Sequence, residues 1–183
     1  MKTCSYLLLI ASVLALACCL IVSPALANDC DAALSEREAL PPNLILSGDA
    51  KRVLEKVWKR SPTFREQCRR ISESPWVKIK VRFVAKRSEP YEALTTLTKY
   101  ESGFTVSTIH IFIASGYVEK IGHEFEHIIE QIEGLNLQAL AAKEGTGVRS
   151  NRPGYFETKR AVRAGQRVHE EYRRARSGCR DRV

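Results

Sequence analysis

His123-Glu124-Phe125-Glu126-His127 sets two imidazoles four residues apart, with a carboxylate directly after the first. On a helix, such residues lie about 40° apart and one turn up, so both rings can reach one ion from the same side. Glu124 falls at about 100° on the same wheel, near enough to act on a water without being a ligand. Zinc lowers the pKa of its water toward about 7, and a neighbouring carboxylate can take the proton as that water attacks a carbonyl.

Two histidines do not complete such a site; a third protein ligand is required. Three and six residues beyond His127 stand Glu130 and Glu133, not the Gly and His that would turn the chain back onto the metal. A carboxylate from a later helix is the alternative. Glu157, expected in the first turn of the final helix after a flexible loop, is the leading candidate, with Glu130 second. To stabilise a developing oxyanion the chain offers Tyr155, His169 and His110, of which Tyr155 is preferred. His110 shares a strand face with Val106 and Phe112 and reads as a hydrogen-bonded core histidine.

The elements that must position these groups follow from periodicity. Ala50, Val53, Leu54, Val57 and Trp58 recur at helical spacing, and Ser61-Pro62 ends that helix and starts the next. In the second helix Phe64, Cys68 and Ile71 share a face, so Cys68 reads as a buried thiol or a disulfide partner. Val77, Ile79, Val81 and Phe83 then alternate with Lys78, Lys80 and Arg82, a strand with one wet face. After a loop with Pro90, Leu94 to Tyr100 and Phe104 to Ile113 flank Glu101-Ser102-Gly103 as a β-hairpin.

The motif helix is expected from about Val118 to Glu133, with Gly134 as its C-cap. Its Ile121, Phe125, Ile128, Ile129 and Ile132 fall between roughly 140° and 240° from His123, so the isoleucine face packs and the histidines look toward a cleft. A short helix over Leu135 to Lys143, a loop over Gly145 to Gly154 and a last helix from near Tyr155 to about Arg176 complete the order. Helices, a small antiparallel sheet, then helices make an α+β fold.

Lys2, an apolar run from Tyr6 to Val22 and the small-x-small Ala25-Leu26-Ala27 have the layout of a secretory signal peptide spanning residues 1–27. Residues 28–183 then form a single domain, exported to a periplasmic or extracellular space. No second apolar run reaches the roughly 18 residues of a membrane span. Of six cysteines, Cys30, Cys68 and Cys179 lie beyond the leader, enough for one disulfide whose pairing is open. The net charge is +8, and the final helix carries Lys159, Arg160, Arg163, Arg167, Arg173, Arg174 and Arg176. Export and the lack of interleaved aromatics argue against nucleic acid, leaving a solvated face or an anionic envelope surface.

The H-E-x-x-H helix behind a hairpin strand, with a downstream Glu, resembles the zincin metallopeptidases, and the gluzincin arrangement in particular. Ser61-Pro62-Thr63-Phe64-Arg65, Ile121-Gly122 before the motif, Glu130 after it, Phe156-Glu157-Thr158 and Ala164-Gly165 are also similar to a family of short, exported, uncharacterised bacterial proteins. The resemblance implies a zincin-like architecture with the strand Phe104 to Ile113 lining the cleft. It further implies His123, His127 and Glu157 as zinc ligands and Glu124 as general base. Two functions are thus expected: a secreted zinc metallopeptidase acting on a peptide or protein, or a non-catalytic envelope-binding protein on the same scaffold.

Overall fold

The computed structural model describes residues 40–84, 92–112 and 116–180. The expected signal peptide, Cys30, the Pro90 loop and the side chain of Cys179 lie outside the described residues.

A three-residue strand, β1 (Leu44–Leu46), leads into α1 (Gly48–Arg60) and α2 (Pro62–Ser72). Ser47 caps α1 by accepting from the Ala50 amide at 3.3 Å. Ser61 ends α1 and caps α2 through the Phe64 amide at 3.0 Å, with Pro62 in the first turn where no amide is needed. Cys68 is a free thiol in the core between α2 and its neighbours, and burial pushes its pKa up.

Three longer strands follow, β2 (Val77–Val84), β3 (Ala93–Lys99) and β4 (Thr105–Phe112). The sheet order is β1-β2-β4-β3, with β1 and β4 both parallel to β2 and only the β3–β4 hairpin antiparallel. The sheet is therefore mixed, not antiparallel as expected. β4 carries fully buried Ile109 and Ile111 and takes the centre beside β2, while Thr-rich, half-exposed β3 is left to the edge.

Val77, Ile79, Val81, Ile109 and Ile111 form the covered face of the sheet, packed in one cluster with residues of α1, α2 and the motif helix. Lys78, Lys80, Val106, Thr108 and His110 fall on the other, half-exposed face. His110 is thus not a core histidine: strand alternation sends Thr105, Ser107, Ile109 and Ile111 inward instead.

α3 (Tyr117–Ile132) is the central helix and carries the motif. It ends at Gly134, whose φ of +73° lets the Leu135 amide reach the Glu130 carbonyl and its own amide the Gln131 carbonyl. A short α4 (Leu137–Ala141) precedes β5 (Val148–Arg152) and β6 (Tyr155–Thr158), an antiparallel pair, and then α5 (Lys159–Arg180). The segment expected to be loop and first helical turn is therefore a hairpin. Thr158 sets the boundary, its Oγ1 accepting from the Ala161 amide at 2.9 Å as the N-cap of α5. The described residues make an α+β fold of five helices, a four-stranded mixed sheet and a two-stranded hairpin. Among them no helix is long and apolar enough to cross a membrane.

Candidate metal centre

The isoleucine face of α3 is buried as its period demands: Ile121, Phe125, Ile128 and Ile129 are all core residues. A second face is buried too, which the wheel did not anticipate, because α5 packs along it. Gly122 and Gly165 allow this approach. A Cβ at Gly165 would lie 2.6 Å from the Glu119 carbonyl oxygen, and one at Gly122 would lie 2.7 Å from Val168 Cγ2. Glu126 and Glu130 are consequently interior carboxylates. Gln67 Nε2 donates to Glu126 at 2.7 Å and to the Gly122 carbonyl at 2.8 Å, while Arg160 Nε meets the other Glu126 oxygen at 2.6 Å. Arg160 also pairs with Glu133, which pairs in turn with Arg70.

On the remaining face His123 and His127 look into a cavity of about 470 Å³. Their Nε2 atoms are 3.1 Å apart. Glu157 reaches them from β6, with Oε1 at 3.4 Å from His123 Nε2 and 3.8 Å from His127 Nε2. Glu157 is therefore in the expected place but on a strand, directly before the helix. The three residues form a group that can hold a metal ion. The circle through their donor atoms has a radius of about 2.0 Å, against metal–ligand bonds of about 2.0–2.2 Å for nitrogen and carboxylate on zinc. Two imidazole nitrogens cannot approach to 3.1 Å with both lone pairs inward unless a proton or a cation lies between them. The donor set fits a cation.

Glu130 is not one of the three. Only 1 % exposed, it lies behind His127, with Oε2 at 2.8 Å from Nδ1, and accepts from Thr158 Oγ1 at 2.6 Å through its other oxygen. A proton on Nδ1 bonded to that carboxylate leaves Nε2 as the coordinating nitrogen. Thr158 also donates its backbone amide to Glu157 Oε1 at 2.9 Å.

Glu124 lines the same cavity, and Thr95 Oγ1 on β3 donates to its Oε2 at 2.5 Å. Burial raises the Glu124 pKa, with the Thr95 bond opposing it, and burial likewise raises that of Glu157. Burial and the neighbouring His127 and Lys120 push His123 down to about 3. Burial acts downward on His127 as well, but its bond to Glu130 and the nearby carboxylates outweigh it and raise the pKa.

No family model, curated protein or solved structure matches this chain.

Of the groups considered for an oxyanion, only Tyr155 lines the cavity, its ring stacked under Arg152 at 3.7 Å. His169 and His110 do not. The strand along the cleft is β3, through Ala93 to Leu97, rather than the Phe104 to Ile113 strand. Sequence reading missed Thr95, Thr158 and the orienting role of Glu130. The last was accessible, since Glu130 sits three residues beyond His127 on one helix; Thr95 comes from a distant strand and leaves no local signal.

Proposed function

We propose that this chain is an exported, zinc-dependent hydrolase of the zincin type, a small metallopeptidase. The observation that carries the reading is the triangle of His123, His127 and Glu157 donor atoms, with the Glu124 carboxylate opening on the same cavity. Two imidazoles and one carboxylate, with cavity in front of them, suit zinc in its catalytic form, where three protein ligands leave one position open. Export rests on the signal-peptide layout of residues 1–27.

A peptide substrate is supported by β3. Among the described residues it pairs only with β4, which leaves its outer edge to accept an extended chain, and its Ala93 to Leu97 stretch lines the cavity. Zinc, when bound, polarises a carbonyl and lowers the pKa of water toward about 7. With the metal held by His123, His127 and Glu157, Glu124 would take a proton from the water at Oε1, since Thr95 donates to Oε2, as the water oxygen bonds to the carbonyl carbon. It would return that proton to the amine nitrogen as the C–N bond breaks. The Thr95 bond fixes the carboxylate plane, and Glu130 holds His127 in the tautomer that keeps Nε2 toward the cavity. Tyr155, which lines the same cavity, is the residue we assign to donate to the carbonyl oxygen as it gains charge.

The test is elemental analysis of the purified protein beside four variants. The parent should carry about one zinc per chain, lost in His123→Ala, His127→Ala and Glu157→Ala. Glu124→Gln should keep the metal and hydrolyse no peptide. Hydrolysis surviving in Glu124→Gln overturns the mechanism, and a parent that takes up no added zinc overturns the reading. Zinc without hydrolysis in the parent leaves the binding protein on the same scaffold.

A further inference from the structure

Glu157 lines two cavities. One is the metal cavity; the other is a hollow of about 310 Å³ formed where the β5–β6 hairpin meets the first turns of α5. Lys159, Arg163 and Gln166 stand at helical spacing along one face of α5. Arg149 is the cross-strand neighbour of Glu157, so the two side chains leave the same side of the hairpin. Gly147 brings the walls together: its carbonyl accepts from the Lys159 amide at 2.8 Å, and a Cβ there would lie 3.2 Å from the Lys159 side chain.

The charge in this hollow is one-sided. Arg149, Lys159 and Arg163 form no ion pair among the described residues, whereas Arg160 is taken up by Glu126 and Glu133, and Arg174 by Glu170. Glu157 is the only carboxylate among the described residues that lines it. That carboxylate forms no ion pair with Arg149, and its Oε1 faces the two imidazoles and the Thr158 amide. The N-terminal end of α5 adds its own positive potential. Among the described residues no aromatic side chain lines the hollow on which a base could stack.

We propose that this hollow is an anion subsite continuous with the metal cavity through Glu157, and that the substrate is a peptide bearing a carboxylate close to the scissile bond. The carboxylate belongs either to an acidic side chain or to the peptide C-terminus. The word substrate rests on the peptidase reading; the anion subsite does not.

The test measures binding of fluorescein-labelled peptides to the zinc-loaded Glu124→Gln protein by anisotropy. The probes are a short Glu-containing peptide, its Gln counterpart with a free C-terminus, and that counterpart with an amidated C-terminus. A peptide carboxylate should tighten binding about tenfold at low salt, less near 0.15 M salt. Preference for the Glu peptide assigns the side chain, and preference for the free over the amidated terminus assigns the chain end. Arg149→Gln with Arg163→Gln should abolish the preference, while Arg173→Gln with Arg176→Gln, at the far end of α5, should keep it. Equal binding of all three peptides overturns the proposal. So does a preference that survives the first pair of changes or is lost equally with the second. Parent protein that prefers the carboxylate but cleaves nothing sinks the peptidase reading and leaves the subsite; cleavage indifferent to charge does the reverse.

Discussion

Thr158 touches the candidate centre twice and also caps α5. Its hydroxyl donates to Glu130, the carboxylate that orients His127; its amide donates to Glu157 Oε1; and its hydroxyl oxygen accepts from the Ala161 amide, starting α5. A single residue thereby ties Glu157 on β6 to His127 on α3, two of the candidate ligands. Thr158→Val keeps the shape and removes the hydroxyl, leaving buried Glu130 short of a donor and α5 without its cap. Loss of the cap costs about 1 kcal/mol of stability. Zinc affinity, read by competition with a chromophoric chelator, should fall about tenfold or more, the range for partners that orient a ligand. Thr158→Ser should restore it. If Thr158→Val lowered stability and left zinc affinity unchanged, Thr158 would be a helix cap and nothing more.

At the scale of elements, the centre depends on how closely α3 and α5 approach. Gly165 faces the turn of α3 that carries His123, and a Cβ added there would lie 3.1 Å from His123 Cβ as well as 2.6 Å from the Glu119 carbonyl. Backbone cannot yield as a flexible side chain can, so Gly165→Ala must push the helices apart. Such overpacking costs about 1–3 kcal/mol. Thermal unfolding of the chelated protein should show that loss, and zinc affinity should fall with it because His123 moves. An unchanged unfolding midpoint would mean the crossing is looser than these distances say. The sequence announces Gly122 and Gly165 only as two glycines within helical stretches, since what each faces is a long-range fact.

The same distinction separates what was legible from what was not. α1, α2 and α3 each bury a stripe at regular spacing between strong stops, Ser61-Pro62 and Gly134 among them, and sequence periodicity places them within a residue or two. The β3–β4 hairpin was legible as well. β5 and β6 have five and four residues, too few for alternation to stand out against Gly147, Pro153 and Gly154. That is why Glu157 was expected one element too late. The parallel pairing of β1, β2 and β4 has no local signature at all, because it is decided by which strand the core can bury.

Across the whole molecule, the three candidate ligands join parts that also meet through packing, through the Thr158–Glu130 bond and through a chain of polar contacts. His123 and His127 belong to α3, while Glu157 belongs to the hairpin leading into α5. Gln67, Glu126, Arg160, Glu133 and Arg70 tie α2, α3 and α5 together behind the motif. An ion held by all three ligands would close the front of the same assembly, and its affinity for the folded chain adds directly to stability. At a free zinc concentration about 100 times the dissociation constant that addition is about 2.7 kcal/mol. For a domain of this size it corresponds to a rise of about 5–10 °C in unfolding midpoint. Calorimetry with zinc and with chelator should show this rise in the parent protein. Glu157→Ala leaves the two histidines on α3 and removes the bond to the hairpin, so most of the rise should vanish while the chelated midpoint barely moves. A full rise persisting in that variant would mean that the ion is held by α3 alone.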